Sequence, residues 1–143
     1  MHIDHINISV RDLPSAKAFF LNLGFAITKE GRLEGEWIDK VTGLSGVKAA
    51  YVALSFSGHE TDLELIQYFS PEGSVDPSIS RPNQIGFRHM AFAVDNIEMM
   101  VAKLRTKKAT FLSDIQKYGE KKKLCYFLGP EGIILELAEY AKE

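Results

Sequence analysis

The feature that most constrains the fold of this chain is an internal repeat. The segment HINISVRD (residues 5–12) recurs as HMAFAVD (residues 89–95), and both copies precede a stretch in which apolar residues have helical spacing. Each half then closes on an apolar segment with a glutamate at its centre, LELI (residues 63–66) and LEL (residues 135–137). Two copies of one pattern predict two similar structural modules in one chain.

The length of the chain indicates how the two copies are organised. With 143 residues, of which 45% are hydrophobic, it is long enough for one domain and short for two independent domains of usual size. We therefore predict a single domain over residues 1–143, built from module 1 (residues 1–70) and module 2 (residues 87–143). Proline, glycine and serine are frequent in residues 71–86, which is typical of an exposed linker.

The spacing of apolar residues predicts the order strand, helix and three strands in each module, an α+β fold. Alternation places His5, Asn7 and Ser9 on one face of the first strand. Residues 12–23 have helical spacing, and residues 95–98 resemble a helix start with an acid reaching back from the third position. The predicted strands are residues 3–10, 25–29, 47–56 and 62–69 in module 1, and residues 87–94, 110–112, 123–128 and 133–139 in module 2.

Two stretches without clear periodicity interrupt these elements. Residues 31–46 carry Trp37 and Leu44 as their main apolar side chains, and residues 116–122 are rich in lysine. Long loops in a compact domain are often lids or binding loops, so we predict that role for these two segments. The run of lysines at 121–123 is interpreted as a solvated loop, or as a contact for an anionic group if it borders a cleft.

The repeated glutamates are the strongest candidates for chemistry. Glu64 and Glu136 both lie in apolar strands, where an unpaired charge costs several kcal/mol or forces protonation. A divalent cation is one solution, and His5 and His89 supply two imidazoles on the first strand of each module. Two imidazoles and two carboxylates suit one Zn, Ni, Co, Mn or Fe ion, and the types of ligand alone do not choose among these metals.

Each of the four residues also has a simpler interpretation when it is considered alone. A single strand histidine is commonly a packed or hydrogen-bonded residue. A single glutamate within a strand is commonly an edge residue, or forms a salt bridge, here to Arg88 or a lysine. The repetition of residue type, strand position and order favours the metal site over these readings.

The rest of the composition excludes several classes of protein. A formal charge of −2 with interspersed signs argues against nucleic acid as a partner, and no apolar run approaches the length needed to cross a bilayer. Cys125 is the only cysteine and the N-terminus lacks the pattern of a secretory signal, so we expect a cytoplasmic protein without disulfides. Cys125 is interpreted as a core residue, and His2 and His59 as solvated.

From Asp4 to Ala138 the chain resembles the vicinal oxygen chelate superfamily, which includes glyoxalase I, methylmalonyl-CoA epimerase, fosfomycin-resistance proteins, extradiol dioxygenases and bleomycin-resistance proteins. The resemblance implies two βαβββ modules whose sheets curl around a metal-binding cleft, and a homodimer. It places His5, Glu64, His89 and Glu136 on the four metal positions of the glyoxalase I-like members.

A complete set of four ligands is typical, within this resemblance, of isomerase or lyase chemistry. It implies a small carbonyl or thioester substrate, an enediolate stabilised by the metal, and a glutamate as the base. Glu136 is the first candidate for the catalytic base and Glu64 the second. The alternatives are a non-catalytic module that sequesters a ligand, as in bleomycin resistance, a fosfomycin-type transferase, and a dioxygenase.

Overall fold

The computed structural model describes residues 1–142, which divide into two compact units, Met1–Val75 and the residues from Asp76 onward. Unit 1 contains β1 (His5–Ser9), α1 (Leu13–Asn22), β2 (Ala26–Glu34), α2 (Glu36–Thr42), β3 (Lys48–Ser55) and β4 (Asp62–Ser70). Unit 2 contains β5 (His89–Ala93), α3 (Ile97–Thr106), β6 (Gln116–Tyr118), β7 (Lys122–Leu128), a 3-10 turn (Pro130–Gly132) and β8 (Ile134–Tyr140).

The two units have the same sheet topology, which confirms the predicted α+β fold of two repeated modules. The strand order is β1-β4-β3-β2 in unit 1 and β5-β8-β7-β6 in unit 2. In each sheet the first strand of the unit pairs in parallel with the last strand, and the other neighbours are antiparallel. The strands that carry the repeated histidine and glutamate are therefore adjacent in space although they lie at opposite ends of each unit's sequence.

Each sheet packs one face against the helix that follows its first strand. In unit 1, Asp12 caps α1 by accepting a hydrogen bond from the Ser15 backbone, and the buried Phe20 of this helix lies on the β3 and β4 side of the core with Leu54 and Leu65. In unit 2, the predicted stripe on α3 is buried at Ile97, Val101 and Leu104. Burying a large apolar side chain contributes about 1.5–3 kcal/mol, so these faces hold each unit together.

The segment from 31 to 46, predicted to be irregular, is largely ordered. Strand β2 continues to Glu34 and the short helix α2 follows it. Ile38 of α2 is buried in a small cluster with Val47, Ala49 and Ile66. Gly35, at the N-cap, has no side chain to cap the helix, and the burial of Ile38 holds the helix instead.

Two details of module 2 were also predicted wrongly. Residues 110–112 form only an isolated bridge, between Phe111 and Phe127, whereas part of the lysine-rich segment forms β6 and a hairpin with β7. Helix α3 is capped by Asn96, whose side chain accepts from the Met99 backbone, so Glu98 falls outside the predicted capping position and pairs with Lys123. The residues of β6 are all exposed, and a strand without a buried face has no alternation to reveal it.

None of the helices within residues 1–142 is long and apolar enough to span a membrane.

Candidate metal and catalytic site

In unit 1 the register of β1 and β4 places the repeated residues on one face of the sheet. His5 is opposite Asp62 and Asn7 is opposite Glu64, and registered residues of parallel neighbours project to the same side. The side-chain amide of Asn7 donates a 2.8 Å hydrogen bond to Oε1 of Glu64. Glu64 is therefore held by a neutral partner, in a half-buried position.

The imidazole of His5 is oriented by its neighbour in the chain. Its Nδ1 lies 2.7 Å from Oδ2 of Asp4, and this contact, with smaller contributions from Glu64 and other carboxylates, raises the pKa of His5 against the opposing effect of burial. Histidine ligands of metals usually donate their second ring nitrogen to a carboxylate or carbonyl in this way. Because Nδ1 of His5 contacts Asp4, Nε2 is the ring nitrogen that could coordinate a metal ion.

In unit 2 the histidine and the glutamate are in direct contact. Strands β5 and β8 repeat the register of unit 1, with Ala91 in place of Asn7 opposite Glu136. Nε2 of His89 lies 3.1 Å from Oε2 of Glu136, which is only 4% exposed. The ring of Tyr126 lies 4.9 Å from that of His89. A buried carboxylate needs a compensating partner, and an imidazole beside it leaves room for a cation to be shared between the two groups.

The second oxygen of Glu136 faces a lysine. Nζ of Lys122 lies 3.1 Å from Oε1 of Glu136 and 5.3 Å from the centre of the Tyr140 ring, and the carboxylate raises the pKa of Lys122. The contact is an ion pair by distance, yet Oε1 accepts no well-formed hydrogen bond from residues 1–142. A buried carboxylate oxygen with unused acceptor capacity fits a metal ligand, because buried polar atoms otherwise find hydrogen-bond partners.

The structure thus brings together each predicted pair within its own unit: His5 shares a face with Glu64, and His89 contacts Glu136. Within residues 1–142, no group of three or more His, Cys, Asp or Glu side chains lies in a metal-binding cluster. The donors present, imidazole nitrogen and carboxylate oxygen, fit the metals predicted from the sequence. The four-ligand set itself stays a prediction.

Several other candidates have structural partners. Cys125 is buried, and burial raises the pKa of its thiol, which does not favour a nucleophile. His59 packs its ring against Phe56 at 5.9 Å. Lys123, expected in a solvated loop, pairs with Glu98 and Glu139 at 2.8 and 3.1 Å.

The sequence indicated Lys122 only as one of three lysines that could contact an anionic group, and its pairing with Glu136 was not predicted. Lys122 and Tyr126 lie four residues apart on β7, so their side chains project to the same face of the sheet as Glu136. Alternation would have placed Lys122 on that face once β7 was known to begin at residue 122. The orienting role of Asp4 was also missed, and the pairing of a carboxylate with the adjacent histidine was its only signal.

Comparison with known proteins supports the duplicated architecture. The family model for the Glyoxalase/Bleomycin resistance protein/Dioxygenase superfamily matches residues 2–137. Mitochondrial methylmalonyl-CoA epimerase of Bos taurus is 28% identical over 141 residues, covering 96% of this chain and 73% of that protein. The uncharacterized protein YaeR of Escherichia coli K12 is 31% identical, covering 96% of this chain and 95% of that protein. A glyoxalase family protein from Bacillus cereus, 29% identical, superposes with a TM-score of 0.91 over 99% of this chain and 95% of that one.

Proposed function

The chain belongs to the Glyoxalase/Bleomycin resistance protein/Dioxygenase superfamily, and from this premise we propose that it is a metal-dependent isomerase or lyase acting on a small carbonyl or thioester substrate. The similarity to an epimerase supports the isomerase class. The observation that carries the proposal is the buried contact between His89 and Glu136, in which a carboxylate sits beside an imidazole. A carboxylate held in a fixed position is a common general base.

We propose that His5, Glu64, His89 and Glu136 bind one divalent metal ion. The acceptor capacity of Glu136 and the orientation of His5 by Asp4 support this assignment. The four ligands would come from one chain or from the two subunits of a homodimer. When bound, the metal supplies Lewis-acid polarisation of a substrate carbonyl, which makes the proton on the adjacent carbon more acidic.

In this proposal Glu136 takes that proton and returns it. Ile134 and Ala138, which share its face of β8, are buried, and a poorly solvated position strengthens electrostatic contacts with the carboxylate. Tyr126 packs beside His89 and keeps the imidazole in place. Glu64 is the second candidate base, and its hydrogen bond from Asn7 suits it better to a fixed position. A positioned base typically contributes about 10²- to 10⁴-fold to the rate.

The first test is metal content per chain, measured by plasma mass spectrometry on untagged protein reloaded with Zn, Ni, Co, Mn or Fe. We expect about one ion per chain, or per half-dimer, and a large loss in His89→Ala. The matched control is His59→Ala, because His59 lies in the β3–β4 turn rather than in either candidate pair. A wild-type chain that holds none of these metals would overturn the metal site.

The reaction class is tested by exchange of the proton next to a carbonyl in D₂O, followed by NMR over a panel of small carbonyl compounds and thioesters. Exchange that depends on the metal and on Glu136 supports the proposal. Absence of exchange across the panel, with tight binding of one member, favours a ligand-sequestering module instead. The ion pair between Lys122 and Glu136 is the observation in favour of that alternative, because it balances the buried charge without a metal.

A further inference from the structure

The cation that contacts Glu136 in this structure is a side chain of the protein itself. Oε2 of Glu136 faces His89 and Oε1 faces the ammonium of Lys122, both at 3.1 Å. The carboxylate is 4% exposed, so both of its oxygens have close neighbours. A metal ligated by Glu136 would have to share the carboxylate with one of these neighbours or displace it.

We infer that Lys122 is a built-in counter-cation that holds Glu136 in the metal-free protein and is displaced from it when a divalent cation binds there. The inference rests on the proposed metal site and assigns a residue that regulates its loading. An ammonium and a divalent cation on one carboxylate repel each other strongly in a poorly solvated site. Binding of the metal therefore includes the work of moving Lys122 away.

The surroundings of Lys122 allow that movement. Lys122 is the first residue of β7, next to the hairpin turn, and its side chain is 24% exposed, so the ammonium has a route to water. Its four-carbon stem is flexible, and the charge contacts the Tyr140 ring at 5.3 Å as a second, weaker site. The ammonium can move by rotations of its own side chain, and the backbone pairing of Lys122 with Tyr140 is not disturbed.

The other unit lacks this arrangement at the equivalent position. Glu64 and Tyr68 correspond to Glu136 and Tyr140, and the residue paired with Tyr68 is Ala49. Glu64 instead accepts from the neutral amide of Asn7. The lysine is thus a feature of one half of the duplicated pattern, which indicates a role beyond balancing the shared fold.

The chain offers a matched control in the next residue. Lys123 projects to the opposite face of β7 and pairs with Glu98 and Glu139. Lys122→Met and Lys123→Met each remove one ammonium group from the protein. Only Lys122→Met removes the ammonium that contacts Glu136. Lys122→Gln serves as a second variant if Lys122→Met does not fold by circular dichroism.

The test has two readouts that do not depend on turnover. Zinc is titrated by calorimetry into metal-free wild type, Lys122→Met and Lys123→Met, and we expect the zinc Kd to fall about tenfold in Lys122→Met only, a change of about 1.4 kcal/mol. In the wild type, labelling by an amine-reactive ester, read by mass spectrometry, should rise several-fold at Lys122 on zinc loading and stay constant at Lys123.

Zinc binding with unchanged labelling of Lys122, or a Kd in Lys122→Met that equals or exceeds that of the wild type, would overturn the counter-cation role and leave the proposed metal site intact. A wild type that binds neither zinc nor the other divalent ions would overturn both. Because the labelling experiment uses the wild-type chain, it tests the displacement of Lys122 even if both variants misfold.

Discussion

The two units share a backbone plan but surround their glutamates differently. Glu64 is half-buried and accepts from a neutral amide, whereas Glu136 is buried between an imidazole and an ammonium. The three strand positions around each carboxylate have diverged: Asn7, Ala53 and Ala49 in unit 1 correspond to Ala91, Tyr126 and Lys122 in unit 2. The two units thus keep the register of the histidine and the glutamate while the neighbouring residues differ, and this supports different roles for the two carboxylates.

The largest expected difference between the units is in turnover. Glu136→Gln should lower the rate by about 10²- to 10⁴-fold, because an amide cannot act as the base. Glu64→Gln should lower it less and affect metal affinity more. Steady-state kinetics and metal content on both variants make the comparison. Equal losses of rate, or a Glu136→Gln enzyme with wild-type turnover, would contradict the assignment.

Equivalent core positions should respond alike, since the scaffold is shared. Leu65 and Leu137 each follow the repeated glutamate and are 0% and 1% exposed. Replacement of either by alanine should lower the free energy of unfolding by about 2–5 kcal/mol, from lost burial and the cavity left behind. Chemical denaturation of both variants measures this. If the free energy of unfolding falls by less than about 1 kcal/mol in one variant, the unit that carries this leucine is packed more loosely than the other unit.

The partners of the two glutamates should differ in how much they stabilise the metal-free protein. Lys122→Met leaves a buried carboxylate without its cation, and we expect a loss of about 1–3 kcal/mol. Asn7→Ala removes one hydrogen bond, from a neutral amide to a half-buried carboxylate, and should lower the free energy of unfolding by about 0.5–1.5 kcal/mol. Denaturant titrations with a chelator present give both values. A larger loss in Asn7→Ala would reverse the proposed contrast.

The smallest effect concerns the two helix starts. Both helices have a local cap, Asp12 in α1 and Asn96 in α3, and the first backbone N–H of each helix donates to a distant side chain on the last strand of its unit. Leu13 donates to the neutral amide of Gln67, whereas Ile97 donates to the carboxylate of Glu139. That bond, and then Lys123, lower the pKa of Glu139 below 4.5. Stability from Glu139 is therefore present above pH 4.5 and is lost as the pH falls through its lower folded pKa.

Glu139→Gln should accordingly destabilise the protein at pH 7, and the difference from the wild type should shrink as the pH falls from 4.5 toward 3 and the wild-type carboxylate takes up a proton. Thermal unfolding of both proteins across this pH range, without metal, gives the difference at each pH. Gln67 holds the equivalent position in unit 1 and has no carboxylate, so no such pH dependence is expected from that contact. If the difference in unfolding temperature between the wild type and Glu139→Gln is the same at every pH, the charge of Glu139 does not contribute to stability.

Much of this architecture could be predicted from the sequence because a strand or helix with one buried face has apolar residues at a regular spacing. The first strand, the following helix and the last two strands of each module, and the buried apolar face of α3, followed from such patterns. Helix α2 and strand β6 could not be predicted, since the first depends on tertiary burial of Ile38 and the second has no buried residue. The histidine and glutamate pairs were accessible because they repeat. The pairing of Lys122 with Glu136 was not, because Ala49 stands at the equivalent position of unit 1 and no repeat marks the lysine.

The parallel pairing of β1 with β4, and of β5 with β8, has a consequence for chain entropy. The pairing of these strands closes a loop in each unit, with 59 residues from His5 to Glu64 and 47 from His89 to Glu136. Since closure entropy grows only with the logarithm of loop length, the longer loop costs just ~0.2 kcal/mol more. The connection that holds α2 is therefore a place where the chain can gain or lose residues almost without penalty to the assembly of the histidine–glutamate pair.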